Sequence, residues 1–214
     1  MPRCEYCAQE FPNEALEREH VFPKCLYPEE DRGSKVQRLT ILSCAACNHA
    51  PSDDEVHFKN VLAIAGEPND AARLVWNGPT KRSFTKVDGR RRLRELAAGL
   101  VPVNAAGESR FMIYPGRDPR VIRVLKKIVS GLCAHHYGLT PLAEERIFAD
   151  VMRFEVPEYL LDETTFEHRE LDVVQYRRTL FDSGEMHSAW LLNFYERRPF
   201  VAVVFHRPFE SHEA

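Results

Sequence analysis

The chain has 214 residues, a mass of 24.7 kDa, 44% hydrophobic residues and a formal net charge of −3. This composition provides enough apolar side chains for a full hydrophobic core without disulfide support. No apolar run approaches the roughly 20 residues of a membrane-spanning helix, which argues against an integral membrane protein of that type. Because no basic segment followed by an apolar stretch comes after Met1, we expect a cytoplasmic protein whose thiols stay reduced.

The first predicted unit covers residues 1–66 and carries two cysteine pairs. Cys4-x-x-Cys7 is predicted to form a knuckle, and Cys44-x-x-Cys47 leads into a helix predicted to continue to Ile64. Each pair can place two thiolates on one tetrahedral ion, so the two pairs together predict a structural zinc site. The alternative for these four cysteines is a set of buried free thiols.

The loop between the cysteine pairs carries polar residues suited to catalysis. Glu19 and His20 are predicted to lie on a strand or turn, a second strand is predicted over residues 38–42, and Asn48 directly follows the second pair. A zinc ion that holds both ends of this loop can bring an acid, a histidine and an asparagine near one another. Metal-assisted hydrolysis needs such a group of side chains.

These residues carry a resemblance to a known family. The run Cys-x-x-Cys, Glu-His-Val-Phe-Pro and Cys-x-x-Cys-Asn resembles the His-Asn-His (HNH) endonucleases, also called ββα-metal nucleases, in the variant with a four-cysteine zinc. The resemblance covers roughly residues 1–65. The chain lacks the central Asn of the family pattern, whose position falls near Leu39 and which in relatives mainly braces the catalytic loop.

The resemblance implies a role for each of three residues. His20 is expected to be the general base, because a histidine titrates near neutrality and can accept a proton from water. Glu19 and Asn48 are expected to hold a catalytic Mg²⁺ or Mn²⁺ ion, since carboxylate and amide oxygens are hard ligands.

Simpler interpretations of the same region stay open. His20 could be a packed structural histidine or a zinc ligand, and Cys25 is better explained as a small buried hydrophobe than as a ligand. His49, Asp53 and Asp54 could add a metal ligand, although the acids more often cap the helix that starts near Glu55.

The second predicted unit, residues 67–118, is a connecting region rich in Gly, Pro and Arg, and we expect it to be partly extended. Between Arg73 and Lys127 the chain has fourteen basic residues against four acidic ones. Clustered Lys and Arg side chains neutralise phosphates and supply most of the non-specific affinity for nucleic acid. The predicted phosphate contacts are Lys81, Lys86, Arg90, Arg91, Arg92 and Arg94, with a solvated charged face as the alternative.

The third predicted unit covers residues 119–214. A helix is predicted to open at Pro119 and to end at Gly138, with Cys133 in its apolar core. Four strands are predicted after it, over residues 151–156, 173–181, 188–195 and 200–206, with a hairpin turn at residues 196–199. The pattern indicates an α+β fold in which a helix packs on an antiparallel sheet.

The sequence thus predicts a metal-dependent HNH endonuclease that hydrolyses phosphodiester bonds of nucleic acid, with DNA favoured over RNA and RNA left open as the substrate. The alternative from another class is a zinc-stabilised module that binds nucleic acid without cutting it. A third possibility is a zinc-stabilised interaction protein. The Glu19-His20 pair and Asn48 favour the enzyme, because a purely structural zinc knuckle does not need them.

Overall fold

The structure, a computed structural model, describes residues 1–33, 37–49, 52–64, 68–105, 108–113, 116, 118–152 and 166–209. Helices and antiparallel strands are mixed in an α+β fold, as predicted. The helices are α1 (Ala45–His49), α2 (Ser52–Ile64), α3 (Asp70–Val75), α4 (Lys81–Phe84), α5 (Gly89–Ala98) and α6 (Pro119–Tyr137). The strands are β1 (Leu16–His20), β2 (Thr40–Cys44), β3 (Leu100–Ala105), β4 (Glu108–Ile113), β5 (Ile147–Val151), β6 (Phe166–Glu170), β7 (Val174–Leu180), β8 (Met186–Phe194) and β9 (Arg198–Phe205).

The N-terminal part is an antiparallel hairpin followed by a helical segment. Strands β1 and β2 pair from Leu16 opposite Cys44 to His20 opposite Thr40. Helix α1 starts directly after Cys44, and α2 follows it along the chain. This order of two strands and then a helix was predicted. Glu19 and His20 lie at the end of β1, and Asn48 lies in α1.

The middle part is more helical than predicted. A wide helical turn at Trp76–Thr80 joins α3 to α4, and α5 follows. Extended backbone occurs in the hairpin of β3 and β4. The basic run therefore lies mainly on helices, because Arg, Lys, Leu and Ala all favour a helix and Gly89 opens α5 without breaking it.

Helix α6 begins at Pro119 and ends before Gly138, as predicted. The Asp118 side chain accepts a hydrogen bond from the backbone N–H of Arg120 at 2.9 Å, and Gly138 ends the helix in the left-handed conformation at φ 62°. Midway along the helix, a Cβ atom added at Gly131 would lie 3.1 Å from the Tyr6 hydroxyl and 3.3 Å from Val21. The absence of a side chain there lets α6 pack closely on the N-terminal part.

The C-terminal sheet has five strands in the order β5-β9-β8-β7-β6 among the described residues. Three of the four predicted strands correspond to β7, β8 and β9, and the predicted turn connects β8 to β9 with Tyr195 and Glu196 at positive φ. The predicted strand at 151–156 is shifted, because β5 ends at Val151 and residues 153–156 lie outside the described residues. Strand β6 was not predicted, since an edge strand needs no regular apolar alternation.

One hydrophobic core joins the N-terminal part to the C-terminal sheet. The ring of Phe22, two residues after His20, lies 5.8 Å from the Tyr176 ring of β7. Phe58 of α2 meets Phe194 of β8 edge to face, with centroids 5.3 Å apart and an interplanar angle of 88°. No helix in the described ranges is both long and apolar enough to span a bilayer.

We predict that Phe58→Ala lowers the free energy of unfolding by about 3–5 kcal/mol, because it removes a fully buried ring from this shared core. Urea unfolding monitored by fluorescence and far-UV dichroism should show one transition at a lower midpoint. The control is Leu93→Ala, whose side chain is exposed on α5. A loss below about 1 kcal/mol would show that the two parts do not share a core.

Candidate functional site

The four predicted zinc ligands come together at the start of the chain. Cys4 and Cys7 lie on the N-terminal knuckle, Cys44 ends β2 and Cys47 lies in α1. Their four Sγ atoms all lie within 4.8 Å of one another. Zinc–sulfur bonds of about 2.3 Å in a tetrahedron separate the sulfur atoms by about 3.8 Å, so the cluster can hold a metal ion such as zinc.

Backbone geometry prepares the knuckle for this role. The N–H of Ala8 donates to the Cys4 carbonyl at 2.8 Å, and Ala8 takes a left-handed φ of 59°, which turns Cys7 toward Cys4. The N–H of Cys44 donates to Cys4 Sγ at 3.4 Å. Burial acts to raise the pKa of Cys4, but backbone N–H groups around the sulfur outweigh it and lower the pKa to about 6.

The Cys47 thiol lies close to that first negative charge. Burial, and then the Cys44 thiol and the neighbouring Cys4 thiolate, raise the pKa of Cys47. Four thiolates at this spacing therefore require a cation, which is the chemistry of a thiolate metal site. Cys25 and Cys133 lie outside the cluster, and burial raises the pKa of each to about 12. Cys133 is buried in the core, as predicted, and Cys25 is half-buried.

Glu19 lies at the seam between the hairpin and α6. Its side chain is 7% exposed, and Oε1 forms a short ion pair with Lys127 Nζ. The same ammonium lies 3.2 Å from Oε1 of Glu55 on α2. Oε2 of Glu19 is buried with no hydrogen-bond partner in the described ranges. Glu19 therefore offers one uncommitted buried oxygen, while its other oxygen is occupied by a lysine.

His20 and Asn48 have different surroundings from Glu19. Successive side chains of a strand point to opposite faces, so His20 projects away from Glu19. Burial, and then the charges of Lys24 and Arg38, lower the pKa of His20 and favour its neutral form. Asn48 Nδ2 donates a hydrogen bond to Glu17 Oε2 at 3.0 Å. The described contacts therefore do not join Glu19, His20 and Asn48 in one group.

Acidic side chains at the start of α2 meet cations from two other helices. Asp54 pairs with Arg123 of α6 at 2.9 Å, Glu55 pairs with Lys127, and Asp53 lies 4.0 Å from Arg92 of α5. These acids also face the positive end of the α2 dipole. Asp53 and Asp54 thus have salt-bridge partners.

A cavity of about 330 Å³ opens between these elements, beside the cysteine cluster. Its wall includes three cations of α6, two acids, Cys47 and the Tyr6 ring, over which Lys127 Nζ lies 5.5 Å from the centroid. The charged wall residues are Arg123, Lys126, Lys127, Asp54 and Glu144. Arg123 and Lys127 already pair with carboxylates, so Lys126 is the wall cation without an acidic partner in the described ranges and the one best placed for an anionic ligand such as a phosphate group.

The six basic residues predicted to contact phosphate lie on α5 and in the segment before it, and they differ in whether a partner side chain already binds them. Arg91 pairs with Glu95 at 2.7 Å, and Arg92 faces Asp53. Arg90 and Arg94 are exposed and have no acidic partner in the described part of the chain. Lys81 donates to Asn77 at 2.8 Å, and Lys86 is exposed before α5. The strongest candidates for phosphate contact are therefore Arg90, Arg94 and Lys86, which are exposed and have no acidic partner in the described ranges.

Sequence reasoning missed three charged residues around the predicted site. Lys127 was noted only as part of the basic stretch, Glu55 only as a helix start, and Glu170 not at all. Each contacts residues far away in the chain, and Lys127 binds Glu19 across 108 positions. A local motif contains no signal for such partners.

No protein family, curated protein or solved structure matches the chain.

We predict about one tightly bound zinc per chain, and we expect Cys44→Ser to lose the metal and lower the melting temperature, because metal-binding energy in such sites is largely folding energy. Metal analysis and thermal unfolding with and without a chelator measure both effects. The matched control is Cys25→Ala, which changes a cysteine outside the cluster and should keep the zinc. The prediction would be contradicted if the wild-type protein contained no zinc and its melting temperature were the same with and without the chelator.

Proposed function

We propose that the chain is a metal-dependent endonuclease of the HNH type, which hydrolyses phosphodiester bonds in nucleic acid, with DNA as the expected substrate. The observation that carries the proposal is the frame made by the cysteine cluster and the β1–β2 hairpin. The four thiols hold the first knuckle, the end of β2 and the start of α1 together. That frame carries Glu19 and His20 at the end of β1, and Asn48 directly after the last cysteine.

His20 is the proposed general base. It takes the proton of the attacking water while the water oxygen bonds to phosphorus and the bond to the 3′ oxygen breaks. Its half-buried ring has a lowered pKa, so the neutral form that accepts a proton prevails near neutral pH. The buried Nδ1 has no hydrogen-bond partner in the described ranges, which leaves the ring free to adopt either tautomer.

Glu19 and Asn48 are the proposed ligands of a divalent cation. When bound, Mg²⁺ or Mn²⁺ supplies positive charge that stabilises the phosphate and the departing 3′ oxygen. The buried, unpartnered Oε2 of Glu19 supports a cation at this residue. The oxygens that would bind the cation are Glu19 Oε2 and Asn48 Oδ1, so Glu19 can keep Lys127 on Oε1 and Asn48 can keep Glu17 on Nδ2.

The second candidate is a zinc-stabilised module that binds nucleic acid without cutting it. Lys127 favours this candidate, because its ammonium already neutralises Glu19 and Glu55. The cationic wall of the cavity and the exposed arginines of α5 serve both candidates equally. Cleavage assays therefore decide between them, and binding assays do not.

We predict that His20→Ala lowers the rate of cleavage by about 10²- to 10⁴-fold and leaves nucleic-acid affinity nearly unchanged, because it removes a general base and no phosphate contact. The assay incubates plasmid DNA, single-stranded DNA and RNA with Mg²⁺, Mn²⁺ or chelator. His206→Ala, at an exposed histidine of the C-terminal sheet, is the control. Cleavage at the wild-type rate would exclude His20 as the base, and a wild type that binds nucleic acid but cuts none would favour the binding module.

We predict that Arg90→Ala combined with Arg94→Ala flattens the log–log salt dependence of duplex binding by about two units, since each phosphate contact contributes a slope of roughly −0.9. Fluorescence anisotropy over a range of salt concentrations measures the slope. The control is Arg73→Ala, an exposed arginine already paired with Asp70. An unchanged slope in the double variant, with a flatter one after Arg123→Ala and Lys126→Ala, would place the phosphate backbone at the cavity instead.

A further inference from the structure

A buried carboxylate links the C-terminal sheet to the loop after His20. Glu170 ends strand β6 and is 1% exposed. Its Oε1 accepts a hydrogen bond from the backbone N–H of Leu39 at 2.9 Å, and its Oε2 accepts a short one from the Tyr27 hydroxyl. His168 Nε2 lies 3.5 Å from Oε1. Burying a carboxylate is costly unless its oxygens are hydrogen-bonded, so these contacts define one arrangement of the seam.

Both hydrogen-bond donors belong to the segment between β1 and β2. Tyr27 is fully buried, and burial followed by the Glu170 charge raises its pKa. The hydroxyl therefore stays protonated and donates a hydrogen bond to Glu170. The Arg38 guanidinium covers the Tyr27 ring at 4.1 Å. Glu170 therefore holds two separated points of this segment from a strand 131 positions later in the chain.

The hold on Leu39 extends directly to the neighbour of His20. The Leu39 carbonyl accepts a hydrogen bond from the N–H of Val21 at 3.0 Å, and His20 pairs with Thr40 in the hairpin. A displacement of Leu39 would therefore move the peptide units on both sides of His20. The Leu39 side chain packs against the hydrophobic core, and its backbone groups make the two hydrogen bonds.

We infer that Glu170 is a positioning residue for His20: its carboxylate, bound to Leu39 and Tyr27, fixes the backbone that carries the proposed base. The inference rests on the proposed function. It assigns to the C-terminal sheet the bracing that the family pattern assigns to an asparagine within the motif. The sheet thereby becomes a working part of the site, although Glu170 does not touch the substrate.

The test compares two substitutions at Glu170. Glu170→Leu removes both acceptors and should lower kcat by about 10- to 100-fold with a nucleic-acid affinity within about twofold of wild type, since a misplaced catalytic group costs about that much. Glu170→Gln should recover most of the rate, because its carbonyl can accept from Leu39 and its amide can donate to the Tyr27 hydroxyl. The control is Asp172→Asn, on the exposed turn after β6.

A readout that does not depend on cleavage separates this inference from the proposed function. Amide hydrogen exchange at Leu39 and Val21 should accelerate in Glu170→Leu and stay near wild type in Glu170→Gln, whether or not the protein cuts nucleic acid. A wild type without cleavage would refute the proposed function and leave this exchange difference as the test of the brace. If Glu170→Leu does not fold, Glu170→Asp replaces it, because its shorter side chain keeps the charge but cannot reach both donors.

Two outcomes would overturn the inference. One is unchanged exchange at Leu39 in Glu170→Leu or Glu170→Asp. The other is a loss of kcat that is the same in Glu170→Gln as in Glu170→Leu or Glu170→Asp, and that is fully explained by the fraction of each variant that is unfolded. Either result would make Glu170 an ordinary buried residue with no effect on the base.

Discussion

Insertion of the loop after His20 into the core beneath the C-terminal sheet is the constraint on which the other features depend. Val21, Phe22, Leu26 and Tyr27 are each at most 2% exposed. The Tyr195 hydroxyl donates to the Leu26 carbonyl at 2.6 Å and closes the contact from the sheet side. Fully burying one large apolar side chain contributes about 1.5–3 kcal/mol, so the loop is held far more firmly than a surface loop of this length.

This insertion brings charged groups into the interior, where each must find a partner. Glu19 and Glu170 are both buried, and they are met by Lys127 from α6 and by Tyr27 with Leu39 from the loop. A buried ion pair adds little net stability over apolar packing, but removing one partner leaves a costly unpaired charge. The pairs therefore favour one register of the hairpin against α6 and the sheet.

The cysteine cluster and the apolar core hold opposite ends of the hairpin that carries the proposed site. The cluster connects the first knuckle to the junction of β2 and α1, whereas the core holds the opposite end of the hairpin, next to His20. Between these two anchors lie Glu19, the acidic start of α2 and the cationic wall of α6.

The sequence by itself determined the features that depend on local spacing. Local spacing and residue type predicted three features that the structure contains: the cysteine cluster from two Cys-x-x-Cys pairs, α6 from Pro119 to its end at Gly138, and strands β8 and β9 from their β-branched and aromatic residues. The tertiary structure alone decided which charges meet. Glu170 binds Leu39 and Lys127 binds Glu19 across more than 100 positions, and only packing brings such residues together. In the same way, the density of arginines on α5 is visible in the sequence. Which of these arginines form salt bridges depends on where the fold places Glu95 and Asp53. A salt bridge forms only between groups that lie within about 4 Å of each other.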